Sequence, residues 1–224
     1  GQLSLWLGSV HRLNPAHDNG SAADSPIGAT PWFGLRLRHG NSLVGARRAV
    51  WTKKQLKAGQ HAKKNSAHVA PRLLAPGESR GKDEVYHFLV LDEEMVPTHR
   101  DKLMRRFHPT RCETAKTWVT RQVKPRWSDE QIASAIEVSK LVDRHFADYA
   151  AERAAALSAT DCTATVWPMP ADDPAATDPG PSLAEQEQAG ASLESESGSF
   201  QRLRMVMDTW CALWFWPLDE VENL

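Results

Sequence analysis

The segment that most constrains this fold begins at Ser128. Ser128-Asp129-Glu130-Gln131 places a Ser N-cap three residues before a Gln, which is a capping box. Ile132, Ile136, Leu141, Val142 and Phe146 follow as an apolar face that continues towards Leu157. The other face is polar. The spacing therefore predicts one long amphipathic helix that covers a core rather than lying inside one. Downstream the material changes. Residues 161–199 include "PMPADDPAATDPGP" and "SLESESGS", which are acidic and poor in apolar residues. This composition is expected to form a disordered acidic Pro/Ser-rich linker. Residues 200–224 then read as a Trp-rich helix. Phe200, Leu203, Met207, Trp210 and Trp214 fall at helical spacing, and Pro217 ends the run near Trp216.

Upstream of Ser128 the punctuation is denser. Leu3, Trp6, Leu7 and Val10 read as the end of an amphipathic helix, and Asn14 to Pro31 as a loop rich in turn dipeptides. Trp32 to Leu37 alternates as a strand would and runs into His39-Gly40-Asn41-Ser42-Leu43-Val44-Gly45. A strand ending in a Gly-flanked polar pair lets a ligand approach the backbone closely. Ala49 to Pro71 is basic and low in apolar residues and reads as an exposed helix or loop. Glu84 to Leu91 reads as a strand buried on both faces. These readings divide the chain into residues 1–50, a basic and mainly helical region 51–160 with one buried strand, the linker 161–199 and the terminal helix 200–224.

Charge follows the same division. The formal net charge is only −1, yet residues 36–126 hold 21 Lys/Arg against 8 Asp/Glu, and residues 161–224 hold 2 against 12. A basic half suits a nucleic-acid surface, or equally a set of solvated faces. Arg47, Arg48, Lys53, Lys54, Lys57, Lys63 and Lys64 are the densest basic stretch, with Trp51 among them. Two readings stand for it. Either the cations meet phosphates while Trp51 stacks on a base, or Trp51 anchors a solvated helix to the core. Cys112, Cys162 and Cys211 have neither zinc-ligand spacing nor a disulfide pattern, which suits a reducing cytoplasm. The apolar run Met205 to Leu218 is too short for a membrane span and carries Asp208, so no membrane association is expected. Gly1 stands where a Met would start a chain, already inside an apolar periodic segment. The chain is therefore expected to be a piece of a longer polypeptide.

Two segments in order, "LSLWLGSV" (Leu3–Val10) and "LRLRHGNSLVGAR" (Leu35–Arg47), carry a resemblance. The chain resembles the large adenine-specific DNA methyltransferases of bacterial restriction and phage-defence systems, including type IIG enzymes and the BREX- and DISARM-associated methylases. "VYHFLVLDEEMV" (Val85–Val96) and "MDTWCALWFWPL" (Met207–Leu218) are similar to stretches in the defence-associated members. The resemblance implies an α/β fold: a partial Rossmann-like class I methyltransferase sheet with a mainly helical insertion. It implies S-adenosylmethionine as cofactor, double-stranded DNA as substrate and adenine N6 as the methylated atom. In that family the strand ending in "GNSL(I/V)G" meets the cofactor's adenine, which places Asn41, Ser42 and Leu43 at the cofactor. Asn41 offers both an acceptor and a donor to an adenine edge. Asn after Gly is also ordinary turn chemistry, and that reading stands beside the first.

An N6-adenine methyltransferase also needs a Gly-rich loop for the methionine end, a carboxylate for the ribose and an (Asn/Asp)-Pro-Pro-aromatic clamp for the extruded base. The 224 residues contain none of these motifs. Asn14-Pro15 lacks the second proline and the aromatic residue. No catalytic residue is therefore assigned. The chain is expected to act with the remainder of a parent polypeptide and to be inactive alone. No histidine pair has metal-ligand spacing, so no metal is expected; His61 and His68, seven apart, share a helix face at most. Asp92, Glu93 and Glu94 read as a solvated strand end. The Trp-rich helix is expected to pack on another part of the parent or to drive self-association. The rival functional reading is a non-enzymatic module, binding nucleic acid with its basic half and a partner with its aromatic helix.

Overall fold

The computed structural model describes residues 35, 44–62, 68–123, 125–160 and 181–224. The helix Leu3–Val10, the loop before Pro31 and all of Asn41–Leu43 lie outside these. The described residues fall into two compact units, divided after Ala147 and after Phe200.

The larger unit is built on a small sheet. Strand β1 (Ala49–Thr52) lies between β2 (Arg72–Leu73) and β3 (Glu84–Tyr86), antiparallel to both. Val50 stands opposite both Arg72 and Tyr86. The basic stretch expected to be an exposed helix or loop thus supplies the central strand. Ala-Val-Trp is short but fully buried, and the flanking charges obscure it in the sequence. Thr52 then caps the helix α1 (Lys53–Lys57): its hydroxyl accepts the Gln55 N–H and the Gln55 side chain accepts the Thr52 N–H. Gly59, at φ 68°, closes this helix in the left-handed conformation that glycine adopts at least cost.

The expected strand over Glu84–Leu91 lasts three residues and then tightens into a 3-10 turn, His87–Leu89. A second 3-10 turn (Pro97–Arg100) leads to the helices α2 (Lys102–Phe107) and α3 (Pro109–Trp118). Pro109 separates the two: it lacks an N–H to continue α2 but fits the first position of α3. A π-helical turn, Val119–Val123, follows.

The long helix appears as expected. It is α4 (Asp129–Ala159), Ser128 and Gln131 form the reciprocal cap, and no Gly or Pro interrupts it. Ile132, Ser139 and Val142 define its buried stripe; Leu141 falls off that stripe and is exposed, contrary to expectation. The fully buried Ser139 hydroxyl accepts the Tyr86 N–H and donates to the Ala135 carbonyl, so strand and helix approach without an unmet polar atom.

Among the described residues, two apolar clusters hold this unit. Trp51, Leu56, Val85, Val90 and Ile132 join sheet, α1 and α4. Met95, Val96, Cys112, Ala115, Leu218 and Val221 join α3 to the C-terminal turn (Leu218–Asn223), with Trp210, Trp214 and Trp216 against them. Arg80 ties the β2–β3 connection to α4. Its guanidinium is only 4% exposed and holds Asp143 Oδ2 at 2.6 Å, while the Tyr86 hydroxyl donates to Asp143 Oδ1 at 2.8 Å. Burial and that hydrogen bond push the Tyr86 hydroxyl up to about 12.

In the smaller unit, residues expected to be linker form the helix α5 (Leu183–Leu193). Ser182 and Glu185 make a capping box that was present in the sequence but outweighed by the acidic composition. Residues 161–180 lie outside the description. Tyr149 meets Phe200 at 5.2 Å, and Arg153 donates to the Leu35 carbonyl. The final helix, α6 (Ser199–Ala212), ends four residues before Trp216, and looser turns carry the remaining aromatic residues.

The coarse expectation of mixed helix and sheet holds in the described residues. Their sheet is antiparallel, whereas a Rossmann-like sheet is mainly parallel. Among the described residues no helix is long and apolar enough to cross a membrane.

Candidate functional site

The chain emerges from Asn41–Leu43 directly into the wall of a cavity of about 630 Å³. Val44, Gly45 and Arg47 form that wall. His87 and Asp92, which follow β3, Trp210 and Cys211 at the end of α6, and Trp214 and Phe215 just beyond it also line the cavity. The Trp210 N–H donates to the Val90 carbonyl at 3.0 Å, which ties the end of α6 to this wall. The Trp-rich end thus packs within this same unit. Trp210 meets His87 edge-on at 5.0 Å and Trp214 at 5.6 Å.

His87 Nε2 lies 2.9 Å from the Arg47 N–H and 2.8 Å from the Arg47 carbonyl. One tautomer accepts from the first; the other donates to the second. Burial holds this imidazole below its ordinary range, against a smaller upward pull from the Arg47 backbone. The ring is therefore a neutral latch between the "GNSLVGAR" segment and β3. Burial, and then Asp208, push the Cys211 thiol up, so it is not a prepared nucleophile. The Trp214 Nε1–H is buried without a hydrogen-bond partner. A buried donor left unmet is costly, and here the indole is held by its packing against the apolar cluster on α3. Asp92 adds a carboxylate whose Oδ1 accepts the Glu94 N–H. The cavity thus offers aromatic side chains and a carboxylate acceptor, which suit a flat heteroaromatic ring.

The four basic residues expected at nucleic acid separate. Arg48 turns inward, donating to the Glu78 carbonyl and lying 5.4 Å over the Phe146 ring. Lys53 pairs with Asp129 at 3.2 Å. Arg47 and Lys54 are exposed. Trp51 is 5% exposed in the core, so it cannot stack on a base.

Glu93 also departs from expectation. It is 4% exposed rather than solvated, and its Oε2 has no hydrogen-bond partner. It lines a second cavity of about 410 Å³ with His99, Arg100, Arg105 and Lys116. Beside it Val96 sits at φ 52°, ψ 54°, a conformation that a β-branched residue rarely adopts. Its N–H donates to the Leu213 carbonyl, and its own carbonyl accepts from His99 Nδ1 at 2.6 Å. Such strain persists only where surrounding contacts over-determine it. The sequence carried no signal of this beyond Val96 preceding Pro97.

His61 is buried with its Nε2 3.1 Å from the Val123 carbonyl, and His68 bonds the Gln60 carbonyl. Among the described residues no group of three or more His, Cys, Asp or Glu is placed to hold a metal ion. Comparison of the chain with family models, curated proteins and solved structures finds no match.

Proposed function

We propose that this chain is part of a DNA adenine-N6 methyltransferase and that the cavity behind Val44–Arg47 receives the adenine of S-adenosylmethionine. One observation supports the reading most. The segment that resembles the family's adenine-contacting motif continues, without a gap in sequence, into the wall of an aromatic-lined cavity.

The residues fit such a group. Trp210 and Trp214, tilted against each other at 5.6 Å, would cover one face of the ring. Asp92 would accept from the exocyclic amine. Asn41 would act on the same edge. The His87 latch would hold the Arg47 backbone, and with it the motif, against β3. When bound, the cofactor supplies an electrophilic methyl group. The Gly-rich loop, the ribose carboxylate and the base clamp would come from the remainder of a parent polypeptide, in a Rossmann-like sheet that the expected strand Trp32–Leu37 would join.

The full 224-residue chain, titrated with S-adenosylhomocysteine and followed by tryptophan fluorescence, tests the reading. A saturable quench with a dissociation constant on the order of 1 mM is expected, because most cofactor contacts lie elsewhere. Trp214→Ala should abolish it. A wild-type chain that shows no saturable quench, or a quench that survives Trp214→Ala, would overturn the assignment.

A further inference from the structure

We infer that nucleic acid docks on the surface of α2 and α3, not on the basic stretch around β1, with Phe107 as the residue that stacks on an unpaired base. This deepens the methyltransferase reading by naming the surface that meets its DNA. Its readout needs no cofactor, so either idea can fail alone.

α2 is a helix with no fully buried residue. Only Met104 turns towards the apolar cluster on α3. The Asp101 carboxylate caps the helix through the Leu103 and Met104 N–H groups, and Arg105 Nε holds the His99 carbonyl at 2.9 Å. The anchor is therefore polar, and it leaves two large apolar side chains in water. Leu103 is 63% exposed and Phe107 is 67% exposed. They are four residues apart and so share one face.

Cations surround this ridge. Lys102, Arg106 and Arg111 are exposed, and among the described residues none has a carboxylate partner. The Arg106 guanidinium lies 5.9 Å from the Phe107 ring centroid. The nearby acids are already engaged: Asp101 caps α2, and Glu113 pairs with Lys116 at 3.0 Å. On this surface Lys102, Arg105, Arg106, Arg111 and Lys116 outnumber Asp101 and Glu113, so the local charge favours phosphates. An exposed aromatic ring set among free cations is the arrangement that binds single-stranded or locally unpaired nucleic acid. Extruding a target base creates such an unpaired site in duplex DNA.

Fluorescence anisotropy of the full chain with a labelled single-stranded DNA 20-mer and its duplex is the test. Three phosphate contacts predict a slope of log affinity on log salt of about −2 for the single strand. Arg106→Ala with Arg111→Ala should reduce that slope to about −0.7. Phe107→Ala should weaken single-strand binding about tenfold while leaving the slope unchanged. Lys54→Ala should change affinity by less than about twofold, because Lys54 stands outside the docking surface. Melting curves of each variant identify any that fail to fold, and Phe107→Leu serves as a second probe of stacking. The proposal is overturned if the arginine pair has no effect, if Lys54→Ala has the larger effect, or if the ridge binds phosphatidylserine vesicles and not DNA.

Discussion

Two basic stretches of this chain each carry an aromatic residue, and they meet opposite fates. Around β1, Arg47, Arg48, Lys53 and Lys54 surround Trp51. Around α2, Lys102, Arg105, Arg106 and Arg111 surround Phe107. In the first, the backbone is a central strand whose indole points into the core, and two of the four cations serve internal partners. In the second, the backbone is a six-residue helix held by a cap and a carbonyl, and its ring faces solvent. Charge density is alike; what differs is where the aromatic residue goes. A basic run in a sequence thus locates cations but not an interface. The interface depends on which side chains the fold has already used.

The sharpest way to break this contrast is to shorten each aromatic residue. Trp51→Ala should cost about 3–5 kcal/mol of stability, as for other buried Trp truncations, and chemical denaturation would read it. A loss below about 1 kcal/mol would mean that Trp51 is not core. Next in size is Asp143→Ala, which leaves the buried Arg80 guanidinium without its partner beside β3. A loss of about 3 kcal/mol is expected, at the low end for a buried pair because Asp143 is 38% exposed.

Acid should act on both regions. Burial holds His61, His87 and His99 below the ordinary 6.5. His61 braces the π-helical turn at Val123, His87 braces the Arg47 backbone before β1, and His99 braces the turn before α2. As pH falls through 6.5 the unfolded chain takes up protons before the folded one does, so stability declines below that value and is complete above it. Melting temperature should therefore be level above about pH 7 and fall below about pH 6. A melting temperature that rises on acidification would contradict the burial of these rings. The smallest effect is expected for Phe107→Ala, which should alter stability by no more than about 0.5 kcal/mol.

Local signals made part of this fold legible. Ser128 and Gln131 announced α4, and its apolar spacing gave the buried stripe apart from Leu141. Ser182 and Glu185 announced α5 in the same way, but Pro and acidic residues around them masked it. β1 was hidden because three buried residues between charges give no period to read. The candidate cavity was half legible. "GNSLVGAR" marked one wall, while Trp210 reaches it through long-range contacts such as its bond to the Val90 carbonyl, 120 positions away in sequence. Glu93 was unreadable for the same reason: an acidic run looks solvated until packing encloses it.

Amide hydrogen exchange of the full chain, with and without single-stranded DNA, compares the two basic regions in one experiment. The account predicts new protection across Lys102–Trp118 and none across Ala49–Lys57. Protection confined to Ala49–Lys57, with α2 and α3 unchanged, would contradict it.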